Sequence, residues 1–267
     1  MPAIHVTALY RYPVKGCRAS PLDSADVVPR GIAGDRGYML VDDSGCFITQ
    51  RTHPRMALIV PQLVDDSLVL TAPDREPLSV PRVCDGERHR VTIWSDDCDA
   101  LDQGDAVARW LSGFLGESCR LVRMAEDFVR LVDRDYAVSE SDEVGFADGY
   151  PFLLTTEESL AELERRMDAP LPMNRFRPSI VLSGAEPFAE DRWRTIRVGA
   201  ITFSVVKPCA RCVVTTTDQF TAERGKEPLT TLATFRKVRG KGVMFGQNLI
   251  HHSSGTLRVG DAVELIE

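Results

Sequence analysis

Val205-Val206-Lys207-Pro208-Cys209-Ala210-Arg211-Cys212-Val213-Val214-Thr215-Thr216-Thr217-Asp218 gathers more reactive-atom chemistry than any other stretch of this chain. Two cysteines stand three positions apart, with a lysine and a proline before them and an arginine between them. The β-branched residues on either side are strand formers, so the segment reads as a strand over 200–206 and a second over 212–217. Four readings fit Cys209-Ala210-Arg211-Cys212. A thioredoxin-like redox pair should open a helix, whose N-terminus lowers the thiol pKa; here a strand-forming run follows. A structural zinc site needs a second Cys/His pair at suitable spacing, but the other cysteines are single and His251-His252 are adjacent. Two buried cysteines packing as small hydrophobes are common. Finally, cations beside a thiol, here Lys207 and Arg211, favour the thiolate, the form that binds soft metals.

The flanking sequence is mostly strand. Alternation over 3–10 leads into the loop Tyr12-Pro13-Val14-Lys15-Gly16-Cys17, and strands are expected over 21–28, 38–42 and 46–50, the last two joined by the turn Asp43-Ser44-Gly45. Short strands divided by Pro, Asp and Gly turns continue to Trp94, which suggests a β-barrel or sandwich. A helix is expected over 106–115, its apolar residues at helical spacing and Asp102 or Asp105 as cap. Residues 125–149 are acidic and aperiodic, as in a boundary. Thr155 or Thr156 should cap a second helix over 157–167, with Glu157 and Glu158 in its positive first turn. After Asn174-Arg175-Phe176-Arg177-Pro178 the strands resume at 179–182, 195–198, 256–259 and 262–266. The fold class is mainly β with a few helices (α+β), in two β-rich halves meeting near 120–150.

The 267 residues are enough for a large core without disulfides or metal. A net charge of −7 argues against a nucleic-acid partner but leaves room for a local basic pocket. Seven irregularly spaced cysteines are not a secreted disulfide framework. The N-terminus lacks a basic-then-apolar leader, and no run approaches the roughly 20 apolar residues of a membrane helix. A reducing, cytoplasmic setting without a membrane span is expected. There is no Walker loop, dinucleotide fingerprint or H-E-x-x-H. His53 reads as a loop histidine, and His251-His252 as surface. Lys15-Gly16, Asp35-Arg36-Gly37 and Arg175 to Arg177 form cationic loops suited to phosphate or a planar heterocycle, Gly16 permitting close backbone approach to an anion.

Taken in order, Tyr12-Pro13-Val14-Lys15-Gly16-Cys17, Gly34-Asp35-Arg36, Phe176-Arg177-Pro178-Ser179, Cys209 to Thr216, Lys226-Glu227-Pro228-Leu229, Phe245-Gly246-Gln247-Asn248 and Gly255 to Asp261 resemble, nearly end to end, the two-part MOSC family, in particular its amidoxime-reducing branch and bacterial relatives. The resemblance implies an N-terminal β-barrel-like domain (1–120) packed on a MOSC β-barrel domain (121–267) that binds the molybdenum cofactor, molybdopterin with its metal. It assigns the metal thiolate, and hence the catalytic centre, to Cys212. Lys15, Arg36 and Arg177 match positions that hold the pterin and its phosphate. Gly16, Asp148, Asn174, Ser179, Ala210 and Arg211 fall at or near other cofactor contacts. Gly16 and Ala210 stand where some relatives have serine, and Ser179 where many have asparagine. The family is also associated, at family level only, with pyridoxal phosphate binding.

The implied activity is two-electron reduction of a small N-hydroxylated substrate, an amidoxime or hydroxylamine. Electrons are expected from a separate donor, a ferredoxin or a flavin/cytochrome-type reductase, since no ferredoxin domain with four cysteines follows the last strand. Two alternatives stay open: a sulfur-carrier or cofactor-handling protein using a persulfide on Cys212, and a degenerate member that only binds a ligand.

Overall fold

A computed structural model describes residues 3–82 and 85–267; the expectations touching Met1, Pro2 and Cys84 lie outside the described residues. The chain is mostly strand, with three α-helices among the described residues, as the sequence pattern implies. Its largest element is a nine-stranded sheet. Edge to edge it runs Val263–Leu265, Thr195–Val198, Ile201–Arg211, Gly242–His251, Phe152–Thr156, Ile180–Ser183, His5–Arg11 and Ser20–Leu22, with Lys237–Val238 pairing on Gly242–His251. The first strand of the chain therefore lies beside Ile180–Ser183, with His5 opposite Ser183 and Leu9 opposite Ile180. One face lines one core: Phe152 and Leu154, and Ile180 and Leu182, alternate along their strands, Phe203 joins them, and an irregularity between Val6 and Ala8 brings Val6 and Leu9 to the same side. Phe152 and Phe203 meet edge to face at 5.2 Å.

Two smaller sheets and one helix make a second core. Tyr38–Val41, Arg120–Met124, Asp96–Asp102 and Arg88–Ile93 form one sheet; Val60–Val64, Ser67–Ala72 and Arg75–Pro81 form the other. Helix Asp105–Leu115 lays Val107, Leu111 and Phe114 against Leu40, Leu68, Leu70 and Leu121. It stops at Gly116, which takes the left-handed conformation at φ 79°. Neither Asp102 nor Asp105 caps this helix, contrary to expectation; the cap position is Gly104. Asp102 instead accepts from Gly104 N at 2.6 Å and receives a two-pronged contact from Arg120, at 2.5 and 2.8 Å. The Arg120 hydrogen bonds outweigh burial and hold the Asp102 carboxyl below its ordinary range.

A carboxyl depressed in the folded state stabilises above its unfolded pKa, near ~4, and loses that contribution as the pH falls through the folded value. Asp102→Asn is therefore expected to lower the unfolding free energy at neutral pH by about 1–3 kcal/mol. Urea titrations over a pH series should show the gap to the parent constant above about pH 5 and closing below about pH 4.

The second helix is capped as expected: Thr156 Oγ1 accepts from Ser159 N at 3.2 Å, though the helix ends early, at Glu164. Other expectations fail for identifiable reasons. Residues 46–50 make only isolated bridges, Val41 with Phe47 and Cys46 with Thr92. The strand at 21–28 is broken into Ser20–Leu22 and Ser24–Val28, which join different sheets. His251 ends the strand Gly242–His251 half-buried, with its ring 5.4 Å from Phe152, so it is not a surface residue. The largest correction concerns the opening stretch. Strand Ile201–Arg211 runs on through Cys209, and Val213–Thr216 is a 3-10 turn with Cys212 at its cap position. Thr215 Oγ1 donates to Cys212 O at 2.9 Å and Thr216 Oγ1 to Val213 O at 2.8 Å. Such back-bonding from threonine gives the backbone an alternative to a sheet ladder.

Candidate functional site

The loops leaving the large sheet meet the second core around one cleft of about 780 Å³. Lys15, Gly16, Arg36, Asp148, Arg177, Ala210, Arg211 and Cys212 all line it. Of the cofactor contacts that the family resemblance implies, Asn174 and Ser179 do not. Ser179 is buried beneath the strands, where its N–H donates to Leu153 O at 2.8 Å. Asn174 sits in the 3-10 turn Met173–Arg175, and its Oδ1 is buried without a hydrogen-bond partner.

Tyr12 is the platform of the site. It is buried, and Arg36 and Arg177 lie over its ring with Cζ atoms 4.2 and 4.4 Å from the centroid. Both arginines have positive φ, 45° and 56°, in the region non-glycine residues avoid. Such strain persists where surrounding bonds overdetermine the backbone, and it clusters at functional sites. The bonds are on hand: Arg36 N donates to Tyr12 O at 2.7 Å, Phe146 N to Arg36 O at 2.8 Å, and Tyr12 Oη to Pro178 O at 3.1 Å. Asp35 accepts from Arg36 Nη1 at 2.5 Å and from Tyr12 N at 2.7 Å. Burial opposes the Arg36 charge, but Asp35 outweighs it and Arg36 is held above its ordinary range. Arg177 has only the carbonyl of Cys17, at 2.8 Å, and burial pushes its pKa down. Arg36 thus has a carboxylate partner and Arg177 has none among the described residues, so an anion in the cleft would supply the missing charge.

Lys15 is buried, and its ammonium pairs with Asp148, to which Trp94 Nε1 also donates at 3.3 Å. Desolvation by the cleft wall opposes ionisation of Asp148, whose side chain stays largely exposed, but Lys15 and then Arg51 prevail and hold its carboxyl below the usual range. Burial pushes Lys15 down, with Asp148 acting against it. Gly145 lets this segment approach: a Cβ there would lie 2.9 Å from Arg36 O. Gly16 has a different reason from the one its sequence suggests. It takes φ 81°, and a Cβ would stand 2.7 Å from Cε of Met56. The glycine accommodates a turn and a packed methionine, so a serine here would displace Met56.

Cys212 and Cys209 both line the cleft. Arg211 Nη1 donates to Cys209 Sγ at 2.8 Å and Nη2 to Phe176 O at 2.6 Å, while its Nε is buried and unpaired. Cys209 to Arg211 belong to a strand, and Cys212 is extended at φ −117°, ψ 178°. Three extended steps span on the order of 10 Å, beyond the roughly 7 Å limit for Cα atoms of a disulfide. Extension of the pair itself, and not a strand after it, is what separates these thiols.

Sequence reasoning missed Arg175 as a structural clamp. Its guanidinium donates to Thr215 O and Thr216 O, each at 2.9 Å, to Glu227 O at 3.3 Å and to Asp218 Oδ2 at 3.3 Å. It therefore fixes the turn that follows Cys212. The partners lie about forty positions away, so no local pattern announces them. A reciprocal amide pair, Gln50 with Gln219 at 3.1 and 3.2 Å, ties Gly16 O to Thr217 O and so joins the Lys15 loop to the same turn.

No helix among the described residues is long and apolar enough to cross a membrane. Residues 3–118 match the family profile "MOSC N-terminal beta barrel domain" and residues 141–264 the profile "MOSC domain". Mitochondrial amidoxime-reducing component 1 of Homo sapiens is 32% identical over 280 residues, covering 98% of this chain and 82% of that protein. Mitochondrial amidoxime reducing component 2 of Homo sapiens is 31% identical over 276 residues, covering 97% and 82%. The crystal structure of the YuaD protein from Bacillus subtilis aligns over 98% of this chain and 94% of that one, with TM-score 0.43 and 10% identity.

Proposed function

The chain belongs to the MOSC family, and on that premise we propose that it is a molybdenum-cofactor-dependent oxidoreductase that reduces small N-hydroxylated compounds, amidoximes and hydroxylamines, with electrons from a separate donor protein. The observation that carries the proposal is the meeting, in one cleft, of a thiol at Cys212 with the cations Lys15, Arg36 and Arg177. These groups fit the cofactor. A soft thiolate suits molybdenum, and the arginines over Tyr12 supply the forked donors that a phosphate accepts. Among the described residues, no group of three or more His, Cys, Asp or Glu side chains could hold a bare metal ion. A metal on Cys212 must therefore take its other ligands from outside the chain, as a pterin dithiolene provides. The buried, unpaired Arg211 Nε is a further donor available to a cleft ligand.

When bound, the cofactor would supply the two-electron chemistry for cleaving the N–O bond. The chain's own part is placement. Lys15, Arg36 and Arg177 bind the anionic end, with Gly16, Asp148, Ala210 and Arg211 along the same wall. Asn174 and Ser179 support the strand and turn behind it. The division expected at 120/121 falls inside strand Arg120–Met124, and we place it instead between that strand and residue 141, where the second family match begins. The relatives' names, amidoxime-reducing components, support the substrate class; a reduction needs electrons, and we infer a separate donor, a ferredoxin or a flavin/cytochrome-type reductase. All six described cysteines are free, which suits a reducing compartment such as the cytoplasm.

Protein made in a cofactor-competent host should carry stoichiometric molybdenum and reduce benzamidoxime to benzamidine when a reduced donor is supplied. Protein with cyanide-labile sulfur and no molybdenum would instead establish the persulfide reading.

A further inference from the structure

Lys207 lies on strand Ile201–Arg211 at a bulge, where the register shifts between Val205 and Lys207. Bulges re-aim side chains, and this one lines the cleft. Asn248 Nδ2 donates to the Lys207 carbonyl at 3.1 Å and pins the backbone there. The ammonium stands 3.9 Å from the ring centroid of Tyr136 and 5.9 Å from that of Tyr150. The two rings meet edge to face at 6.1 Å.

Aromatic faces orient an ammonium without cancelling its charge. Lys15 and Arg36 each have a carboxylate partner; among the described residues Lys207 has none. Neither phenol hydroxyl on the rings that hold it has a hydrogen-bond partner among the described residues. Burial, followed by Asp133, Tyr136 and Cys209, holds the Tyr150 phenol above its ordinary range, so at neutral pH it remains a donor. The lining as a whole has seven cations, Lys15, Arg36, Arg51, Arg177, Lys207, Arg211 and Lys241, against one acid, Asp148. In a chain of net charge −7, that concentrates positive potential in the cleft and draws small anions in. The contacts that hold Lys207 are separate from those of the Arg36, Tyr12 and Arg177 group.

We propose that Lys207, Tyr136 and Tyr150 form a subsite for a carboxylate carried by the substrate. The favoured substrates are then planar N-hydroxylated compounds with an anionic group remote from the N–O bond. This rests on the reductase reading above.

The test compares para-carboxybenzamidoxime with neutral benzamidoxime on the loaded enzyme. The ratio of their kcat/KM values is expected to exceed unity in the parent, to drop about tenfold or more in Lys207→Met, and to recover in part in Lys207→Arg. A ratio that moves less than twofold in Lys207→Met overturns the subsite. Should no loaded protein reduce benzamidoxime, the reductase reading falls, and the subsite is judged by titration calorimetry of para-carboxybenzamidoxime against the same proteins. Binding about tenfold weaker in Lys207→Met supports it. Equal binding, or none to the parent, overturns it.

Discussion

Cys212→Ser is expected to carry at least about tenfold less molybdenum than the parent when both are made in the same cofactor-competent host. Serine keeps the volume of cysteine and the extended backbone at this position, so the turn Val213–Thr216 should form unchanged. What it removes is the soft sulfur. A hydroxyl has no comparable affinity for molybdenum, and the cleft has no third Cys, His or carboxylate arranged to replace it among the described residues. Donor-dependent reduction of benzamidoxime should fall at least in proportion. Cys209→Ser is the control. Its sulfur receives the Arg211 guanidinium rather than facing a second thiol, and most of the metal should be retained. Equal molybdenum in the parent and the Cys212 variant would end the ligand assignment. A large loss in the Cys209 variant alone would exchange the roles of the two cysteines.

Arg175→Met is expected to lower stability by roughly 2–5 kcal/mol. Methionine keeps most of the apolar stem but removes every donor, stranding the carbonyls of Thr215, Thr216 and Glu227. Thr215 and Thr216 are buried, so water does not readily replace those bonds. Arg175→Lys should fall between, because an ammonium lacks the planar fork that reaches neighbouring carbonyls together. Urea unfolding measures the loss, and amide exchange at Thr215 to Thr217 locates it. A change below about 1 kcal/mol would mean that the turn holds itself. A secondary fall in molybdenum content is expected, since Cys212 is positioned by the same turn.

The residues that carry chemistry were legible because they sit in short loops with unusual composition. Lys15, Gly16, Arg36, Arg177, Arg211 and Cys212 all line the cleft. The elements between them were less so. Strand Gly242–His251 lies inside the large sheet with neighbours on both sides. Yet Gly242, Gly246, Gln247 and Asn248 read locally as loop, and pairing overrides their weak propensity. The β-branched run after Cys212 erred the other way: Arg175 and the threonine hydroxyls claim backbone groups that a strand would have used. Asn174 and Ser179 show the limit of carrying positions over from a family pattern, since adjacency in sequence to Arg175 and Arg177 does not bring their side chains to the lining. The Lys207 cage was invisible for a third reason. It needs a bulge, and of its two tyrosines Tyr136 lies in, and Tyr150 immediately after, the aperiodic stretch that composition marks only as a boundary.

His5–Arg11 takes its place next to Ile180–Ser183, and Val6 N donates to Asp261 O at 2.9 Å. During synthesis this segment leaves the ribosome well before its neighbours exist. At ordinary elongation rates the wait for Ile180–Ser183 is roughly 10–35 s. For that interval only Leu9 to Arg11 can pair natively, with Ser20–Leu22, while the backbone edge that faces Ile180–Ser183 has no partner. The chain must complete its sheet after translation rather than growing it from the N-terminus.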